Sequence, residues 1–147
     1  MPASALPAAP GTYVLIVRMD APTRIVVGRL GAHDLPTGLY AYTGSAHGPG
    51  GLRARLARHL RRDKPHHWHI DALTATGRAV AIWTRAAPER LECAWAGTLA
   101  ALPGVSLPVA GFGSSDCTCP AHLFALPDEL LQAARRALGQ PDEIRYT

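Results

Sequence analysis

The chain has 147 residues and places its strand-forming segments ahead of most of its helical ones, and this order constrains the fold most. Residues 12–19, 24–30 and 39–43 are rich in β-branched and aromatic side chains and are separated by short segments that contain Gly or Pro. Such runs predict three strands. Because the connections are short, neighbouring strands should be antiparallel, with 24–30 returning beside 12–19 as a hairpin. Strands followed by helices indicate a small α+β fold.

The rest of the chain is mainly helical or irregular. Leu52, Leu56 and Leu60 recur at helical spacing, so they predict an amphipathic helix over residues 52–62. The further expected elements are a short helix at 66–74, a strand at 78–84, a helix at 88–102 with proline in its first turn, an irregular segment at 103–120, a short strand at 123–126 and a closing helix at 127–138.

The length fits one domain, which we place at residues 11–139, between a flexible N-terminal tail at 1–10 and a C-terminal tail at 140–147. The first ten residues lack the basic and apolar regions of a signal peptide, and no apolar run is long enough to span a bilayer. We therefore expect a cytoplasmic protein without a membrane partner.

Positive charge is concentrated in one part of the chain. The formal net charge is +4, and residues 35–62 contain no Asp or Glu. Five arginines crowd the end of that stretch: Arg53, Arg55, Arg58, Arg61 and Arg62. A codon bias toward arginine would explain their number but not their clustering. A local basic field of this kind favours a polyanion such as nucleic acid.

Tyrosine and glycine adjoin the basic helix. Tyr40 and Tyr42 lie two apart in a predicted strand, so their side chains point to the same face. Gly44 and the glycine-rich turn at 48–51 follow, where backbone can approach a ligand closely. Taken alone, the strand is better explained by the strong β propensity of tyrosine than by a function.

The helix carries the residues best suited to phosphate. At about 100° per residue, Arg55, His59 and Arg62 fall on one stripe beside the leucines, while Arg58 and Arg61 project further outward. The rigid arginine fork can contact a phosphate at two points. We interpret Arg55 and His59 as functional, whereas a solvated face explains Arg58 and Arg61 as well as phosphate contact does.

Glu92 has an unusual predicted position for a carboxylate. On a helical wheel over 88–102 it falls among Trp95, Ala96 and Leu99, in the middle of an apolar face. A carboxylate there is costly unless it is paired, protonated or bound to a metal. The alternatives are therefore a metal ligand and the partner of a buried arginine.

Two further groups offer chemistry. The segment PHHWHID contains His66, His67 and His69, which could bind metal or phosphate, transfer protons, or simply cap and pack a helix start. Cys117 and Cys119 with a histidine three residues further on form C-x-C-x2-H, which is not a common zinc signature and lacks an evident fourth ligand. We expect reduced, buried cysteines and well under one zinc per chain, with a zinc-binding interaction domain as the alternative.

The ordered set of these motifs resembles the GIY-YIG nuclease superfamily. The matching segments are GTY at 11–13, YTG at 42–44, RLARH at 55–59 and Glu92 in LECAW. Over residues 11–126 the chain is most similar to an uncharacterised GIY-YIG-related family of small stand-alone proteins, some relatives of which are fused to endonuclease III. The resemblance implies a central antiparallel sheet of three main strands flanked by helices.

The resemblance also implies a function: a metal-dependent endonuclease that hydrolyses DNA, in repair or processing. Glu92 would hold Mg²⁺ or Mn²⁺, Arg55 would clamp the scissile phosphate, and Tyr13 or Tyr42 would position or deprotonate the attacking water with help from His59.

Other groups would support this site. Arg58, Arg61, Arg62, His67 and His69 are the expected nucleic-acid contacts. The chain contains no asparagine, which many superfamily members use late in the domain, and Ser115 or Asp116 could take that place. The alternative function is a non-catalytic nucleic-acid-binding module of the same fold.

Overall fold

A computed structural model of the protein describes residues 5–61, 63–66, 68–114 and 117–146. Within these ranges the strands are β1 (Gly11–Met19), β2 (Thr23–Val26), β3 (Ala32–Leu35), β4 (Gly38–Ala46), β5 (Arg78–Ala86), β6 (Leu123–Leu126) and β7 (Asp142–Arg145). The α-helices are α1 (Gly51–Leu60), α2 (His69–Thr74), α3 (Glu92–Ala100) and α4 (Leu131–Ala137), and single 3-10 turns lie at Gly28–Leu30 and Asp128–Leu130. None of these helices is long and apolar enough to cross a membrane.

The main sheet has five strands in the order β6-β4-β1-β5-β7, and every neighbouring pair is antiparallel. The α+β class predicted from the sequence is therefore confirmed, although the sheet has five strands and not three. β1 lies at the centre because its run of apolar and β-branched residues fills both faces of the sheet, as a fully buried strand requires.

The two faces of the sheet support separate cores. On one face, Tyr13, Leu15 and Tyr42 pack with leucines of α1 and α2. On the other, Val14 and Ile16 pack with residues of α3 and α4. The alternation of side chains along β1 thus assigns each residue to a helical layer.

The predicted hairpin between 12–19 and 24–30 is wrong. β2 is only four residues long and pairs with β3 in a separate two-stranded sheet, while both edges of β1 are taken by β4 and β5. No edge of β1 remains for β2, and β3 lies in the connection between the predicted strands at 24–30 and 39–43.

The helix predicted at 88–102 begins later, at Glu92. The backbone N–H of Leu91 donates to Thr12 Oγ1 over 3.1 Å, which ties the helix start to β1. Glu92 thus occupies the first helical turn, where its charge interacts favourably with the helix dipole.

The domain also extends past both predicted boundaries. Leu6 is buried, and the carbonyls of Pro7 and Ala9 accept hydrogen bonds from the N–H groups of Arg53 and Leu52 at the start of α1. Those N–H groups have no partner inside the helix, so residues 5–10 do not form a free tail. At the other end, β7 adds an edge strand within the segment expected to be a C-terminal tail.

One buried carboxylate joins α1 to α2. Asp71 is fully buried and accepts hydrogen bonds from Arg58 Nη1 and Nη2 over 2.8 and 3.0 Å and from the N–H of Trp68 over 2.9 Å. Lys64 Nζ lies 3.9 Å from the same carboxylate and also donates to the last carbonyls of α1. The buried carboxylate is thus paired with the guanidinium of Arg58 and lies near a second cation.

We predict that Asp71→Asn lowers the free energy of unfolding by about 3 kcal/mol, the lower end of the range for breaking a buried ion pair, since Arg58 keeps some contact with water. Urea denaturation measures this change. Asp34→Asn is the matched control, because Asp34 pairs with Arg24 on the surface and its loss should leave the curve nearly unchanged. Equal midpoints for wild type and Asp71→Asn would contradict the prediction.

A candidate active-site cleft

A cleft of about 540 Å³ opens where β4 ends and α1 and α3 begin. The residues that line it include five singled out in the sequence: Tyr13, Tyr42, Arg55, His59 and Glu92. They come from four different elements and from both faces of the sheet. The fold therefore brings together side chains that lie as far as 79 positions apart in the sequence.

Tyr13 and His59 form the buried centre of the cleft. The Tyr13 hydroxyl lies 2.6 Å from His59 Nε2, and both residues are 1% exposed. Tyr13 stands on β1 opposite Gly44 of β4, and a Cβ at Gly44 would overlap the phenol ring. Gly44 therefore leaves the space that the Tyr13 ring occupies.

The buried rings of Tyr13, Tyr42 and His59 are uncharged near neutral pH. Burial raises the pKa of Tyr13 well above its ordinary value, and the nearby Arg55 guanidinium only partly offsets this. Burial likewise raises the pKa of Tyr42. Burial, reinforced by the positive charges of Arg55 and Lys64, lowers the pKa of His59 to about 3. A neutral His59 can accept a hydrogen bond from the Tyr13 hydroxyl at Nε2.

Arg55 is held at the wall of the cleft by two contacts. Its Nη1 donates to the carbonyl of Ser45 over 3.0 Å, and its guanidinium carbon lies 4.4 Å from the centre of the Trp68 ring. These contacts use one of the five N–H donors and leave the planar fork oriented. Such a preset guanidinium is suited to bind an anion.

Arg58 does not project from α1 as predicted. Its guanidinium carbon lies 4.3 Å from the centre of the Trp68 ring, and the group is paired in two-point fashion with buried Asp71. The helical wheel gave only the direction in which Arg58 leaves its own helix, whereas α2 folds over that side.

Glu92 lies at the cleft rim and not in the middle of an apolar face. Its side chain is 26% exposed, its Oε1 accepts a hydrogen bond from Ser45 Oγ over 3.0 Å, and its Oε2 lies 2.9 Å from His122 Nδ1. Among the described residues its ion-pair partner is thus a histidine and not the buried arginine considered from the sequence. A carboxylate has about four acceptor positions, so acceptor capacity remains toward the cleft.

His122 connects Glu92 to a cluster of thiols. Its Nε2 lies 3.1 Å from Cys117 Sγ, and one ligand atom from each of Cys93, Cys117, Cys119 and His122 lies within 4.8 Å of all the others. Burial alone would lower the pKa of His122, but hydrogen bonding to Glu92 and Cys117 outweighs it and raises that pKa.

The expectation that a fourth metal ligand is missing beside Cys117 and Cys119 is therefore wrong. Cys93, in the first turn of α3, supplies it. The cysteines are also not buried as expected, since Cys93 is exposed and the other two are half-buried.

The other predicted residues have separate surroundings. Arg61 is exposed at the end of α1. His69 Nδ1 accepts a hydrogen bond from the N–H of Gly113 over 2.8 Å, so it braces the cleft wall. Arg62, His67, Ser115 and Asp116 lie outside the described residues.

Sequence reasoning missed several groups at the cleft. Trp68 supports Arg55, and Ser45 contacts both Arg55 and Glu92. His47 lines the cleft, and both of its ring nitrogens are buried without a hydrogen-bond partner among the described residues. Its place in YTGSAHG, directly after the tyrosine strand, was the available signal.

Comparison with known proteins gives a family and no further relatives. The chain matches the profile of a family described as "Domain of unknown function DUF123" over residues 12–141. No curated protein and no solved structure matches the chain.

The depressed pKa of His59 predicts how stability depends on pH. Between pH 6.5 and about 3 the unfolded chain binds a proton at this position before the folded chain does. The free energy of unfolding should therefore fall as pH falls through this window, by at most about 1.4 kcal/mol per pH unit from this residue. Urea denaturation of wild type and His59→Gln between pH 4 and 7 measures the difference.

His33→Gln is the control, because His33 is a half-buried histidine outside the cleft. The His59→Gln protein should lose part of the pH slope, and the His33→Gln protein should keep the wild-type slope. Parallel curves for wild type and His59→Gln would show that His59 is not held neutral by its surroundings.

Proposed function

We propose, for a chain that belongs to the DUF123 family, a metal-dependent endonuclease activity that hydrolyses the phosphodiester bonds of DNA. The observation that carries the proposal is the convergence of Tyr13, Tyr42, Arg55, His59 and Glu92 on one cleft. These are the residues at which the chain resembles GIY-YIG nucleases, and each of the short motifs alone is weak. Their meeting at one site supports reading them as a unit.

Arg55 is the residue best suited to bind the scissile phosphate. It is oriented by Ser45 and Trp68 before any ligand arrives, so little side-chain entropy is lost on binding. Positive charge preset where negative charge develops stabilises the transition state of phosphoryl transfer. Arg55 would therefore contribute both to DNA binding and to catalysis.

The Tyr13–His59 pair can position the attacking water. Burial keeps the tyrosine protonated and lowers the pKa of His59 to about 3, so neither side chain is an effective base at neutral pH. The Tyr13 hydroxyl lies 2.6 Å from His59 Nε2, and its oxygen can accept a hydrogen bond from a water in the cleft. The pair would thus orient the water without taking its proton. Tyr42 packs against His59 at a ring distance of 6.3 Å and orients it.

The residues at the rim fit a Mg²⁺ or Mn²⁺ ion. These ions prefer oxygen ligands, retain waters and need only one or two carboxylates beside the substrate phosphate. Glu92 and the Ser45 hydroxyl would offer oxygen ligands at the mouth of the cleft. When bound there, the ion would neutralise charge on the phosphate and the leaving oxygen.

A non-catalytic DNA-binding module is the second candidate. The observation that favours it is that Glu92 is the one carboxylate among the described residues lining the cleft. A protein that only binds DNA would need Arg55 and the exposed Arg61 but not Glu92. The two candidates therefore differ at Glu92.

We predict that Glu92→Gln abolishes cleavage and leaves DNA binding intact or tighter, since a negative charge near the phosphates is removed. The assay incubates each protein with branched, nicked and plain DNA, with Mg²⁺ or Mn²⁺ added or omitted, and binding is measured without the ions. Glu89→Gln is the matched control, because Glu89 is exposed, three positions away and outside the cleft lining. It should cleave like wild type.

Arg55→Ala should behave differently and lose both cleavage and part of the binding. A wild-type protein that binds the panel and cuts none of it, with or without ions, would refute the nuclease and leave the binding module.

A further prediction separates the two outer arginines. Arg61→Ala should reduce the slope of log K against log salt by about one unit, as expected for one lost phosphate contact. Arg58→Ala should chiefly destabilise the fold, because it leaves buried Asp71 without its two-point partner. Binding titrations at several salt concentrations measure the slope. An unchanged slope in Arg61→Ala would mean that this end of α1 does not meet DNA.

A further inference from the structure

We propose that Cys93, Cys117, Cys119 and His122 bind one structural zinc ion, and that this ion fixes Glu92 at the cleft through His122. The four ligand atoms lie within 4.8 Å of one another. A tetrahedral zinc with bonds of about 2.3 Å to sulfur needs ligand sulfurs about 3.8 Å apart, so the largest separation in the set exceeds that spacing by only about 1 Å. Nothing in the DUF123 name assigns this site.

The chemistry of the donors selects the metal. Three thiols and one imidazole are soft and borderline ligands, which favour zinc over Mg²⁺ or Mn²⁺. Cys3His is an established ligand set for structural zinc, and with four protein ligands no position is left for substrate. This ion would therefore be distinct from the divalent ion at Glu92.

The histidine is already held in the orientation that a zinc ligand needs. His122 is fully buried, its backbone N–H donates to the carbonyl of Phe112 over 2.7 Å, and its carbonyl accepts from the N–H of Thr43 over 2.9 Å. Nε2 points to Cys117, whereas Nδ1 lies 2.9 Å from Glu92 Oε2 and 3.0 Å from Thr43 Oγ1. A proton on Nδ1 leaves the Nε2 lone pair for the metal.

This arrangement gives Glu92 a second role. Histidine ligands of zinc usually donate their other N–H to a carboxylate, which fixes the ring and strengthens the bond to the metal. Glu92 accepts from His122 on one oxygen and from Ser45 on the other. The zinc therefore positions Glu92 for the cleft, a consequence that rests on the proposed function, whereas the zinc site itself does not.

The fold offers a structural reason for a metal at this place. Residues 103–120 contain no helix or strand in their described part, and irregular segments of this length are uncommon in small domains unless something fixes them. Cys117 and Cys119 lie in this segment, Cys93 in α3 and His122 next to β6. One ion would join all three parts of the chain.

The first experiment measures metal directly. Untagged protein purified under reducing conditions without added metal should contain about one zinc per chain by mass spectrometry of the elements. X-ray absorption at the zinc edge should fit three sulfurs at about 2.3 Å and one nitrogen at about 2.0 Å. Cys93→Ser, Cys117→Ser and Cys119→Ser should each lose the ion or bind it far more weakly, and His33→Gln should keep it.

The X-ray absorption spectrum of wild type shows whether zinc is bound by three sulfurs and one nitrogen, even if the serine variants fail to fold. Zinc-free wild type that unfolds at the same temperature as before metal removal would refute the site. So would iron in place of zinc, or a disulfide between two of these cysteines in freshly purified protein.

The second experiment tests the link to Glu92. Glu92→Gln should retain the ion at saturating zinc but bind it about 10–100-fold more weakly, measured by competition with a chromogenic chelator. Glu89→Gln should bind zinc as wild type does. Equal zinc affinity in Glu92→Gln and wild type would refute the positioning role.

His122→Cys separates the two proposals. The variant can still supply four ligands to zinc but has no ring to hold Glu92, so zinc content should persist while cleavage falls. Zinc binding with no cleavage in any protein would refute the nuclease and leave the metal site standing. Cleavage by wild-type protein that holds no zinc would refute the zinc site and leave the nuclease proposal standing.

Discussion

The pairing of β1 with β4 on one edge and β5 on the other determines where the groups of the cleft can lie. Because side chains alternate along β1, Tyr13 enters the layer covered by α1 while Thr12 enters the layer of α3. Residues of both layers line the cleft at the sheet end, where β1 begins and β4 finishes. The Tyr13–His59 pair there stands on a strand and a helix, and such elements hold geometry better than loops do.

Short sequence motifs were sufficient to select five residues that line the cleft. Tyr13, Tyr42, Arg55, His59 and Glu92 were all singled out from short motifs, and all five reach one cleft. Each motif encodes a local requirement. A strand needs glycine where a partner's ring must fit, and a helix needs the spacing of four that carries Arg55 and His59 to one side. Such requirements involve residues close together in the sequence, so a short motif is enough to reveal them.

Non-local pairing could not be read in the same way. Whether β2 pairs with β1 depends on whether β4 and β5 already occupy both edges of β1. The sequence of β2 itself does not indicate this. The same holds for Arg58, whose partner Asp71 comes from a helix thirteen positions later. Cys93 lies far in sequence from Cys117, so a search by spacing does not join them. The polar β7 carries no alternating pattern because it is an edge strand.

The charges of the cleft connect the two metal proposals. Tyr13, Tyr42 and His59 are neutral, so the charged side chains that line the cleft, Arg55, Arg90 and Glu92, dominate the field that a phosphate meets there. The proposed zinc, held by three thiolates and a neutral His122, would have one more negative than positive charge and would lie beside Glu92. The structural ion would thus add to the repulsion that a phosphate meets at the rim. A second cation at Glu92 would remove that repulsion, which would make phosphate binding in the cleft and divalent-ion binding at Glu92 mutually dependent.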